Sequence, residues 1–162
     1  MDIMTLVAQT CLLAYLAAWL TLGARDNIFH PSINGIFTEQ VLELKRLEEL
    51  VPEDYEMLKH RRVLSKRMQG LLYRAIVMVE MIVSLVLWVG VVWMAFAVFG
   101  GADVGTAKSI AIAGALGFTT IWSGMLIAGN HFAYWYCHEW AQNTHFQLMY
   151  LGIGAMIFLA VA

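Results

Sequence analysis

The sequence predicts an all-α protein: an integral membrane four-helix bundle with an amphipathic helical extramembrane segment between spans one and two. Three observations predict it. Apolar runs recur near 3–23, 71–99, 107–128 and 146–162, against the roughly 20 residues that a helix needs to cross a bilayer. Charge is confined to one stretch: nine of the ten Lys and Arg lie between Arg25 and Arg74, and eight of the twelve acids between Asp26 and Glu56. The apolar runs show no strand alternation, and in lipid only helices or closed barrels satisfy their own backbone. With 60% hydrophobic and 14% charged residues, against about 25% charged in soluble domains, residues 1–162 read as one membrane domain.

The first run follows Met1-Asp2 without a basic flank, is longer than a signal-peptide core and has no A-x-A site, so it reads as a retained span. Segment 24–70 opens with Asp26-Asn27 and His30-Pro31-Ser32, which read as a turn. Phe37, Val41, Leu44, Leu47 and Val51 then recur at helical spacing among charged residues. Pro52 interrupts that helix, and a second restarts at Glu53. Lys59, Arg61, Arg62, Lys66 and Arg67 precede the second span as a headgroup and orientation signal. By the positive-inside rule this segment is cytoplasmic. The third span carries Ala107, Ala111, Ala115 and Gly117, small residues that let helices approach closely. The fourth, 146–162, is the shortest.

The net charge of −2 and the absence of a basic stripe give no support for nucleic-acid binding. No Ser-His-Asp pattern, phosphate loop, GxGxxG or HExxH is present, so the residues lend no support to an enzyme. Cys11 and Cys137 sit at different expected depths, too far apart for a disulfide.

Glu80 is the sharpest candidate, because a carboxyl inside a span is costly and ordinarily has a partner or a task. Arg74 opens the same span about 9 Å away along the axis. Six residues turn a helix by about 600°, so Arg74 and Glu80 do not share a face; Tyr73 and Ser84 share one with Glu80. Three readings compete for Glu80: a bond within the bundle, a bond to a partner subunit, or a proton or ligand site. His131, His138 and His145 are weak metal or haem candidates. Their spacing of seven places them about 10 Å apart on a continuous helix, too far to share an ion unless the chain bends near Asn143. Trp135 and Trp140 read as an interfacial aromatic belt.

A set of short motifs adds a resemblance over nearly the whole chain. They are Asp26-Asn27, Asn34 and Val41-Leu42 after the first span, Arg74-Ala75-Ile76 with Glu80, and Lys108 with Ala113-Gly114 to Gly117-Phe118. Gly129, Phe132, Ala133, Trp135 and Trp140 complete them. In these the chain resembles a four-span family of bacterial predicted small integral membrane proteins of unknown function. The resemblance implies the topology and marks Arg74 and Glu80 as family features, but it implies no activity. The three histidines depart from the family pattern, and 59–67 looks like an insertion. The family's basic residues in the loop between spans two and three would place that loop in the cytoplasm, opposite to the nine-against-one count in this chain.

The expectation is a non-catalytic accessory subunit of a larger bacterial inner-membrane complex, respiratory or photosynthetic. Its partners would be other membrane subunits and lipids, with bound lipid but no cofactor. The alternatives are a haem- or metal-binding membrane protein and a small oligomeric transporter using Glu80.

Overall fold

The computed structural model describes residues 2–161. Four long helices dominate it: α1 (Ile3–Phe29), α5 (Lys66–Val98), α6 (Val104–His131) and α8 (Glu139–Ala160). Three short helices, α2 (Pro31–Leu42), α3 (Lys45–Leu50) and α4 (Pro52–Leu58), and a 3₁₀ turn at Lys59–Arg61 link α1 to α5, and α7 (Tyr134–Cys137) links α6 to α8. No strand occurs among the described residues.

The first three long helices, α1, α5 and α6, are long and apolar enough to cross a membrane. The expected fourth span falls in α8, whose first turns hold Glu139, Gln142, Asn143, Thr144 and His145. Its apolar portion is therefore shorter than the roughly 20 residues of a full span.

The long helices pack α1 on α5, α5 on α6 and α6 on α8, and α1 also touches α6 and α8. Contacts across each pair run in opposite directions along the two chains. Asn27 meets Glu80 and Thr21 meets Ser84, while Gly90 faces Ala111 and Gly114 faces Leu87. The topology is up-down-up-down. The small residues of the third span lie in the interior, where Ala107, Ala111 and Ala115 are fully buried, and α6 packs on both α5 and α8. A Cβ at Gly90 would lie 3.1 Å from the Ala111 backbone, so glycine there sets how closely α5 and α6 approach.

The connecting segment differs from expectation at both ends. Helix α1 continues through Asp26-Asn27, where a turn was expected, and ends only at His30, before Pro31. A residue preceding proline is driven out of the helical region, and Pro31 then occupies the first turn of α2, where its missing N–H does no harm. The single helix expected over 37–51 is two, broken at Leu44, which adopts a left-handed conformation (φ 56). Leu44 is held there by burial with Leu47 and Tyr55 of this segment and Ala133 and Cys137 of the α6–α8 connection. These short helices form a cap over one end of the bundle.

The basic residues beside α5 tie the cap down. Lys66 bridges Glu39 and Glu43. Its bond and that of Gln69 hold the Glu43 carboxyl below its ordinary range. Lys59 pairs with Glu56 at 2.6 Å, Arg61 donates to the His131 carbonyl at 3.1 Å, and Arg62 donates to Tyr55 and to the Lys59 carbonyl. Of the five expected headgroup residues, Arg67 alone enters none of these bonds among the described residues.

Candidate functional site

At the level where α1 ends, a polar network crosses from α1 to α5. Asn27 Nδ2 donates to Glu80 Oε2 at 2.8 Å, and Asn34 Nδ2 of α2 donates to Asn27 Oδ1 at 2.6 Å. Tyr73 Oη donates to the Asn27 carbonyl at 3.0 Å. One turn further into the bundle, Thr21 Oγ1 and Ser84 Oγ share a hydrogen bond of 2.6 Å, and Trp88 Nε1 donates to Thr21 Oγ1 at 2.9 Å. Glu80 is 4% exposed and Asn27 9%. A polar group buried this deeply needs a partner, and α1 supplies it. The face expected for Glu80, with Tyr73 and Ser84, is the face turned to α1. Arg74 stands apart: it is exposed and donates from Nε to the Gly70 carbonyl one turn back.

Glu80 also lines a cavity of about 630 Å³ beneath the cap. The end of α1 and the α2 side chains Asn34 and Phe37 form one wall with Tyr73 and Glu80 of α5. The end of α6, with Trp122 and Phe132, forms the other wall with Tyr134, His138, Trp140 and His145. The lining holds two acids, Asp26 and Glu80, and no Lys or Arg among the described residues. Asp26 is engaged by Arg25 at 2.9 Å. Trp122 is 9% exposed, and its buried Nε1 has no hydrogen-bond partner among the described residues.

The chain bends at Phe132–Ala133 and at His138 rather than near Asn143. Ala133 is left-handed (φ 55), and His138 separates α7 from α8. This divides the three histidines. His138 and His145 each pack on the Tyr134 ring, at 5.6 and 5.7 Å between centroids, and His145 also packs at a tilt on Trp122 at 5.4 Å. His131 is exposed and packs edge-on to Phe132. His138 is 4% exposed; burial, helped by nearby Arg46, pushes its ring down to about 4, so it is neutral at pH 7. No group of three or more His, Cys, Asp or Glu is placed to hold a metal ion among the described residues.

Trp135 and Trp140 are both exposed. Trp135 lies 4.5 Å from Tyr136, and Trp140 meets Phe37 edge-on at 5.4 Å, joining α8 to the cap. Cys11 and Cys137 are free thiols, the first exposed and the second buried. Three contributors to this site carried no site signal in the sequence. Asn27 was read as part of a turn and, like Asn34, as a family motif residue, and Trp122 is one aromatic among many in a span.

No curated protein and no solved structure matches the chain. A family model described as "Predicted small integral membrane protein (DUF2165)" matches residues 5–162. That match takes in every helix described above, from the first turns of α1 to the end of α8. The apolar helices and the matched length agree: this is a multi-pass integral membrane protein, and the chain belongs to the predicted small integral membrane protein family.

Proposed function

We propose that the protein is a non-catalytic, four-span component of a bacterial inner membrane that holds a small amphipathic molecule beneath its cap. The cavity carries this reading. Its volume of about 630 Å³ lies within the roughly 300–1,000 Å³ of small-molecule sites, which are mostly apolar with a few fixed polar groups. Glu80, fixed by Asn27 and Asn34, is such a group. Helix α8 serves as the fourth span. Its apolar part runs antiparallel to α6, and Gln9 of α1 donates to the Phe158 carbonyl at 2.6 Å. The cap, with nine of the ten basic residues in or beside it, faces the cytoplasm.

Native mass spectrometry of the protein extracted from its own membranes in mild detergent tests this. The expected result is a stoichiometric small-molecule adduct that Ala141→Trp, which projects a bulky ring from the cavity lining, abolishes. A bare chain mass, with no ligand able to raise the unfolding temperature, overturns it.

A second reading, an accessory subunit of a larger respiratory or photosynthetic complex, is favoured by the outer face of α6. Ala113, Thr120 and Gly124 are exposed there, and a Cβ at Gly124 would meet nothing within 4 Å. Such a face lets a foreign helix approach closely. Co-isolation with larger subunits at fixed stoichiometry, lost in Gly124→Leu, is the expected result; an isolated chain in every mild detergent overturns it.

A further inference from the structure

The cavity's chemistry narrows what it holds, an inference that rests on the binding role proposed above. The geometry points to an amphiphile with an ammonium group at its polar end, seated with that nitrogen at Glu80. An aminophospholipid headgroup and a free long-chain amine share this chemistry.

The first support is charge. Glu80 is 4% exposed, and its Oε2 accepts from Asn27. No hydrogen bond engages Oε1, and no Lys or Arg lines the cavity, among the described residues. A buried carboxyl without a counter-charge is costly to ionise and takes up a proton unless a cation is supplied. A ligand that brings a cation supplies what the chain omits, and an anionic ligand would add to the cost.

The second support is the aromatic lining: Trp19, Phe37, Trp122, Phe132, Tyr134 and Trp140. Ring faces attract cations, tryptophan most strongly, and aromatic walls are a general solution for alkylammonium groups. His138, pushed down to about 4 by burial, adds no competing positive charge at pH 7. The apolar remainder of the lining suits an acyl or alkyl chain.

The test uses the full-length protein in a non-ionic maltoside detergent and a series of dodecyl probes, with binding read by calorimetry and tryptophan fluorescence against empty micelles. The probes are 2-(dodecylamino)ethanol, its uncharged analogue N-(2-hydroxyethyl)dodecanamide, anionic dodecyl phosphate, and dodecylamine. The first should bind at least tenfold tighter than the amide or the phosphate. Glu80→Gln should remove that preference.

The wild-type series decides even if a variant fails to fold. Equal affinity across the charged and uncharged heads overturns the ammonium assignment while leaving the binding role standing. Absence of binding by every probe overturns both. Native mass spectrometry then separates the two sources. An aminophospholipid mass retained through purification assigns the headgroup, and a lipid-free chain that binds the free amino alcohol assigns the soluble amine.

Discussion

Asn27 joins three elements through one residue. Its amide donates to Glu80 of α5, its side-chain oxygen accepts from Asn34 of α2, and its carbonyl accepts from Tyr73. That carbonyl is in the last turn of α1, where no helical N–H remains to bond it, so Tyr73 satisfies an orphan. Replacing Asn27 with Leu leaves Glu80 and Asn34 without their partner. A buried group left unsatisfied costs about 1–3 kcal/mol, so Asn27→Leu should lower the unfolding midpoint in detergent by that order. Asn27→Asp restores volume but sets a second carboxyl beside Glu80, and should not rescue it. His138 makes a pH-dependent contribution. Its ring titrates near 6.5 when free and at about 4 in the fold, so the unfolded chain takes up a proton that the native protein refuses. The resulting stability is complete above about pH 6.5 and is lost as pH falls toward about 4. The unfolding temperature should drop between pH 7 and pH 5, and His138→Phe should weaken that dependence. Glu80's face was legible in the sequence, because Tyr73 and Ser84 share it by helical spacing. Its partner was not, because Asn27 lies on another helix and a single sequence carries no record of which polar residues meet across an interface.

Among the elements, the long helices were legible because their signal is local: apolar length alone predicts that α1, α5 and α6 exist. Their ends were not. Leaving the apolar layer does not stop a helix, so α1 carries on past Gly23 until Pro31 stops it. The break at Leu44 has no glycine, asparagine or proline to announce it; tertiary burial with Tyr55 and Cys137 imposes it. Helix packing is testable at two glycines on α8. A Cβ at Gly152 would collide with Thr119 Oγ1, whereas one at Gly154 would meet nothing within 4 Å. Gly152→Leu should therefore destabilise the bundle by about 1–3 kcal/mol through overpacking. Gly154→Leu should stay within about 0.5 kcal/mol, both read as shifts in thermal unfolding.

For the whole molecule, the up-down-up-down order puts the α5–α6 turn, the start of α1 and the end of α8 at the end opposite the cap, where Lys108 donates to the Val161 carbonyl at 2.6 Å. If the cap is cytoplasmic, Gly101→Cys should react with an impermeant maleimide in spheroplasts, and Glu53→Cys only after lysis, with Cys11 and Cys137 replaced by alanine. The reverse pattern would favour the orientation implied by the family's usual basic loop. The cap itself bears on biogenesis. Its small core joins Leu44, Leu47 and Tyr55 to Ala133 and Cys137, and Arg61 reaches the His131 carbonyl. A ribosome delivering this chain from its N-terminus therefore releases α2, α3 and α4 long before their packing partners exist. The first hairpin must wait in the bilayer with its cap unfinished. Only when α6 has inserted and the chain has turned through α7 do the two hairpins become latched, so closing the chamber over Glu80 is a late act of assembly.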